Sequence, residues 1–270
     1  MHDARSAGLL SEAASARTAD VVAALAAAGQ TGLEAASSLH GWTRLTIACH
    51  LRYGATASRR MTADTLAGKP TSFYPGGRSE QRPGTLVPNG GERPAGVVDS
   101  LGLESNRLHD AWAVLSPEQW PTTIPAPSES PDPVRTTLAD LALLRLTEVE
   151  VHGTDLDLGL DDWSEVFVSH ALPARLSWLT VRRSNFRPVD AAIEGSWLLA
   201  ATDGPSTLLS VRGNDVTVEP ASSTTVAEAV IEGSSRDLLA LLLGRPPRRA
   251  LAVRGNRALA QVFNRAFPGP

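Results

Sequence analysis

The chain has 270 residues, 42% of them hydrophobic, which excludes disorder throughout and leaves room for one large domain or two ordinary ones. Its 25 basic and 29 acidic residues give a formal charge of −4 with no long block of like charges, so no electrostatic footprint for nucleic acid or anionic lipid exists and a small-molecule partner is expected. A single cysteine (Cys49), no signal-peptide layout at Met1 to Arg5 and no apolar stretch longer than residues 237–243 lead to the expectation of a cytoplasmic protein without disulfides or membrane spans.

Four segments in the first 160 residues carry helical periodicity. The first, residues 6–28, is Ala-rich, places Leu9, Leu10, Ala13, Val21 and Leu25 at helical spacings, and is expected to end at Gly29. The second begins with Thr43 as N-cap and runs to Leu66, where Gly68 and Pro70 stop it. The third spans residues 95–115 with a seam of Val98, Leu101, Leu108, Trp112 and Leu115, in which Ser105 fills one place. The fourth starts at Thr137, which forms a capping box with Asp140, and continues to about Asp157. Four amphipathic helices of this length predict an antiparallel bundle. Two stretches between them read as irregular: residues 68–96, rich in Gly and Pro, and residues 117–135, whose prolines exclude regular structure. The first contains Tyr74, Arg78 and Arg82 and is the candidate lid.

After Gly159 the pattern changes. A further helix over residues 163–183 leads into strand-like runs at 191–201, 207–211, 216–219 and 226–232, with hairpin chemistry at Gly213-Asn-Asp215. A helix at residues 235–243, a run at 251–253 and a last helix at 258–266 complete an α+β domain. The expected organisation is therefore a helix bundle over residues 1–160 and a smaller α+β domain over 161–270.

The chemistry gathers on the fourth helix, where Leu141, Leu144, Glu148, His152 and Asp155 are spaced three or four apart and share a face. Burying a Glu and a His among leucines is costly unless something compensates, and a divalent cation does so by accepting both lone pairs. Alone, such a pair is more often a solvated face or a simple hydrogen-bonded pair. The second helix adds His50 beside Ile47 and Leu51, and its plain alternative is a core histidine with one satisfied nitrogen. Together the three make a two-histidine, one-carboxylate set on facing helices, known from zinc and non-haem iron sites with open positions. Cys49, next to His50 but about 100° around the helix, reads as a small buried residue. His2, His40, His109 and His170 have no partners at ligand spacing, and no phosphate loop, dinucleotide fingerprint or nucleophile elbow occurs.

Three stretches resemble the mycothiol-dependent maleylpyruvate isomerase family. They are Gly41-Trp42-Thr43 followed by His50-Leu51; Arg145-Leu-Thr-Glu148-Val-Glu-Val-His152-Gly-Thr-Asp155-Leu156; and Asp237-Leu-Leu-Ala-Leu-Leu-Leu-Gly-Arg245. The resemblance implies a DinB-like N-terminal bundle, a C-terminal domain of sterol-carrier-like α+β fold, and a metal, zinc in this family, on His50, Glu148 and His152. By the same resemblance Glu150 is the wrong carboxylate, because it points away from His152. The implied catalytic arginine of the second domain maps best to Arg245, with Arg212, Arg236 and Arg248 as neighbours in sequence that compete. Tyr74, Arg78, Arg82 and Asp155 are the expected contacts to substrate or thiol.

The activity implied is use of mycothiol as cosubstrate, its thiolate attacking a small electrophile with cis-trans isomerisation as outcome. Two alternatives stand beside it. One is a mycothiol S-transferase acting on a lincosamide-like biosynthetic intermediate, favoured by the broken look of Tyr74-Pro-Gly-Gly-Arg-Ser-Glu-Gln-Arg-Pro-Gly84, where the family carries a helical-looking stretch. The other is a non-catalytic small-molecule carrier. The active site is expected where the bundle meets the second domain.

Overall fold

The computed structural model describes residues 4–124, 136–185, 193–213, 215–222, 224–267 and 269, without the side chains of 181–185. His2, Asn214, the start of the run at 191–201 and most of the proline-rich stretch at 117–135 lie outside them. The chain divides into two compact units, Met1–Phe167 and Val168–Pro270.

The first unit opens with α1 (Ala4–Glu34), whose regular helical path ends at Gly29 as expected and is followed by one further turn. Gly29 itself breaks the helical path with φ 65° and ψ −179°, so the glycine acts as a kink inside the element. Helix α2 (Arg44–Leu66) begins as expected at Thr43, whose side chain accepts from the Thr46 amide. Helix α3 (Arg78–Thr85) is a correction, since this stretch was expected to be irregular. Pro83 removes one N–H from a helix of two turns, and the Gly77 carbonyl still accepts from the Gln81 amide at 3.1 Å to start it.

Helix α4 (Pro94–Ala113) follows, with Pro94 in its first turn. A second correction is the short ladder of β1 (Thr123–Ile124) with β2 (Thr136–Thr137), which lies partly in the stretch where prolines were expected to exclude regular structure. Helix α5 (Leu138–Asp155) carries the full capping box: Asp140 N–H donates to Thr137 Oγ1 and Thr137 N–H to Asp140 Oδ2. Helices α1 and α2 each pack on α4 and α5. Leu10, Leu25, Ile47, Leu51, Leu101, Leu138 and Leu146 fill the core between them. Helix α6 (Glu165–Asn185) runs from the first unit into the second.

The second unit holds a five-stranded sheet in the order β5-β4-β3-β6-β7, from β3 (Gly195–Ala201), β4 (Ser206–Arg212), β5 (Asp215–Ala221), β6 (Ala229–Gly233) and β7 (Ala252–Gly255). Only β3 and β6 pair in parallel; the other neighbours are antiparallel. Strands β4 and β5 meet at Arg212 and Asp215 around Gly213, whose φ is 55°. The run expected at 226–232 starts only at Ala229, and Val226 is 92% exposed. Helix α7 (Ser235–Leu242) packs on β3 and β6. The expected last helix is two short ones, α8 (Arg257–Gln261) and α9 (Phe263–Ala266), separated at Val262. Trp197 anchors this core against the Phe263 and Phe267 rings and donates from Nε1 to the Leu259 carbonyl at 3.0 Å. Among the described residues no helix is long and apolar enough to cross a membrane.

Candidate metal centre

The turn before α2 is tied to the end of α5, and that tie assembles the site. Ser38 N–H donates to the Asp155 carbonyl at 2.9 Å, and the Arg44 guanidinium donates to the carbonyls of Leu156 and Asp157. These are orphan carbonyls of a helix C-terminus, satisfied by a neighbouring segment. Gly41 adopts φ 78°, which a side chain would strain, and the turn it allows delivers Trp42 to the ends of both helices.

Helix α2 presents His50, and α5 presents Glu148 and His152 one turn apart. Glu148 Oε2 lies 2.6 Å from His50 Nε2 and 3.6 Å from His152 Nε2. All three donor atoms fall within 4.8 Å of one another, the one such cluster found among the described residues. Tetrahedral donors at about 2.0–2.2 Å from a zinc ion lie about 3.3–3.6 Å apart, so the wider spacing already suits a metal and the shorter one, a direct hydrogen bond, would open on binding it. The histidines are 14% and 12% exposed and the Glu148 side chain 34%, so the carboxylate faces an opening while the imidazoles are walled in.

Asp155 stands behind the site. Its Oδ2 lies 2.9 Å from His152 Nδ1, and a carboxylate can only accept, so Nδ1 carries the hydrogen and Nε2 is left with the lone pair that ligates. His50 has no such support: its Nδ1 is buried without a partner, and the Trp42 indole and Glu148 fix its ring. Burial lowers the His50 pKa against the opposing hydrogen bond that His50 donates to Glu148, which favours the neutral imidazole that ligation needs. Burial pushes the Glu148 carboxyl up, but the hydrogen bond donated by His50, with the Arg145 guanidinium one turn away, outweighs it and brings the pKa down to about 2.

Arg145, one turn before Glu148, is buried in the bundle and donates to the Leu51 carbonyl at 2.8 Å and to Ser105 Oγ at 2.9 Å. Burial lowers its pKa to about 10. Cys49 is buried apart from the cluster, its thiol pushed up to about 11 by burial. Glu150 points elsewhere, making an ion pair of 3.1 Å with Arg17 and accepting from the Ser164 amide.

The expected contact residues divide. Tyr74 is buried, stacked on Tyr53 and bonded to the Thr85 side chain, which makes it an anchor for α3. Arg78 lies over the Tyr74 ring at 6.0 Å and Arg82 over Trp42 at 5.6 Å. Asp155 touches a histidine of the cluster. Arg245 lies in the second unit, in the turn that closes α7, with its amide donating to the Ala240 carbonyl at 2.9 Å. Trp42, read in the sequence only as part of a signature, stacks on His152 at 5.8 Å and 12° and meets His50 edge-on at 5.4 Å.

Fold and site thus define a helix bundle with a candidate cation site of two imidazoles and a carboxylate, followed by an α+β unit. The family model described as the mycothiol maleylpyruvate isomerase N-terminal domain matches residues 11–157, and the chain belongs to that family. The crystal structure of the mycothiol-dependent maleylpyruvate isomerase is similar to this chain with 19% identity and a TM-score of 0.68, covering 94% of this chain and 95% of that one. A histidine-to-alanine mutant of that protein matches with the same values. At that identity the likeness shows the fold, here over nearly the whole length. No curated protein matches the chain.

Proposed function

We propose that the chain is a metal-dependent enzyme that takes mycothiol as cosubstrate and acts on a small electrophile by maleylpyruvate-type cis-trans isomerisation. The observation that carries this reading is the cluster of His50, Glu148 and His152, whose donors converge within 4.8 Å in a chain of this family. Two imidazoles and one carboxylate suit a divalent borderline metal, zinc first among them. When bound, such a metal lowers the pKa of a thiol that reaches it, so that the thiolate is available at neutral pH.

The chain's own residues do the rest. Asp155 holds His152 in the ligating tautomer. Glu148 supplies the negative charge, and its partial exposure leaves a side from which thiol and electrophile approach. In the isomerisation the thiol sulfur bonds to one carbon of an activated double bond, rotation follows about the resulting single bond, and the carbon–sulfur bond breaks to give the trans isomer with the thiol recovered. The developing enolate needs a cation. From the family resemblance we assign that role to Arg245, and Arg245→Ala should reduce turnover severely at unchanged metal content.

Helix α3 weakens the argument for the S-transferase alternative, because residues 78–84 of the stretch that looked broken are helical. A pure carrier leaves the converging donor set without a purpose. Incubation with mycothiol and a cis-enoate electrophile such as maleylpyruvate tests the proposal. Mycothiol-dependent formation of the trans isomer with full recovery of thiol is expected; accumulation of a stable thioether, or no thiol dependence, contradicts it.

A further inference from the structure

Trp42 lies against both histidines, and the same indole that stacks on His152 carries the Arg82 guanidinium over its ring. Arg82 is half-buried in the last turn of α3. Among the described residues no carboxylate pairs with it. Its neighbours in the bundle are otherwise engaged: Arg52 holds Glu92, Arg59 and Arg107 hold Glu104, and Arg44, Arg60 and Arg145 donate to carbonyls. The charge of Arg82 nevertheless reaches the cluster, since it is one of those acting on His50. Tyr74, stacked on Tyr53 and bonded to Thr85, pins α3 so that Arg82 stays beside the site.

A half-buried guanidinium without a counter-charge, held on an aromatic ring beside the cluster, is built to receive an anion. On the reading proposed above, the thiolate of the cosubstrate goes to the metal, the sugar and inositol hydroxyls of mycothiol carry no charge, and the anion left for Arg82 is a carboxylate of the electrophile. The planar fork of Arg matches a carboxylate through two parallel N–H donors, which a lysine cannot do.

We propose that Arg82, positioned by the Trp42 indole, is the carboxylate receptor of this site and sets its preference for an anionic electrophile over a neutral one. Trp42 is the positioning residue.

The test is calorimetric binding of maleate, with dimethyl maleate as the uncharged control, to the full chain without mycothiol, in metal-free and zinc-loaded forms. Arg82→Met should weaken maleate binding roughly tenfold to a hundredfold, the range of hydrogen bonds to charged groups, with zinc stoichiometry and helical circular dichroism unchanged. Arg82→Lys should recover part of the loss, and dimethyl maleate should be indifferent to both. Trp42→Ala should weaken maleate binding more than Trp42→Phe. Equal maleate affinity in Arg82→Met and the parent, or no maleate binding by the parent in either form, overturns the assignment. Failure of the metal or thiol reading is seen separately, in zinc uptake and in thiol-dependent turnover. An effect of Arg82 on maleate in the metal-free protein supports the receptor whatever those show.

Discussion

Asp155 and His152 show how much a single distance adds at the scale of the residue. The spacing of three along a helix places Asp155 on the face of Glu148 and His152, and from there it reads equally as a contact for a ligand. A separation of 2.9 Å from His152 Nδ1 makes it the support of a histidine instead. Asp155→Asn should therefore weaken zinc binding about tenfold to a hundredfold, with the bundle still folded, as measured by competition with a chelating dye. Zinc affinity equal to the parent would assign Asp155 elsewhere. Ser105 is a second case. A serine in an apolar seam looks like a gap in the pattern, yet it accepts from the buried Arg145, a residue some 40 positions away that periodicity could not connect to it. Trp42 escaped for a similar reason, since its role exists only because the turn at Gly41 and the end of α5 meet.

At the scale of the element, helix starts and the break at Gly29 were legible, and the helix held by tertiary contacts was not. Thr43 and the Thr137–Asp140 box are local chemistry, and both form as read. Helix α3 was hidden because Gly76, Gly77 and Pro83 argue against it locally, while the stacking of Tyr74 on Tyr53 of α2 holds the segment in place. Tyr74→Ala should cost about 3 kcal/mol in denaturant unfolding, the scale of removing a buried aromatic. A negligible cost would leave α3 without its anchor. The loop between α3 and α4 is tied in another way, through Glu92, which accepts from Arg52 at 2.7 Å and from the Asn89 amide. Burial works to raise the Glu92 pKa, but the Arg52 hydrogen bond and the Asn89 amide carry it below its ordinary 4.5. Glu104, beside Arg107 and Arg59, is lowered too, its hydrogen bonds and charge partners again outweighing burial. A depressed carboxylate contributes stability that is present above its unfolded value and lost as pH falls through its folded one. The metal-free protein should therefore lose stability as pH drops below about 4.5, and Glu92→Gln should flatten that acid limb. An unchanged limb in this variant would show that the Arg52 pair contributes nothing.

At the scale of the whole molecule, the change from helical to alternating patterning after Gly159 was enough to expect a bundle followed by an α+β region. Order within the sheet was not legible, because the parallel pairing of β3 with β6 joins residues about thirty apart across two intervening strands. The split of the last helix at Val262, beside the Phe263 that meets Trp197, and the start of β6 at Ala229, the residue paired with Trp197, were likewise not legible from local propensity. On the proposed activity, glutathione should substitute poorly for mycothiol, since polar groups of the protein that meet sugar and inositol hydroxyls would be left unpaired by a tripeptide. Comparable specificity constants for the two thiols would contradict a site shaped for mycothiol. The claim on which the rest depends is that His50, Glu148 and His152 hold a metal, and it is tested most directly by elemental analysis and zinc titration of the chelated protein beside His152→Ala. One zinc per chain is expected in the parent and none in the variant, with equal helical content; no uptake by the parent, or the same stoichiometry and affinity in both, would contradict the metal site.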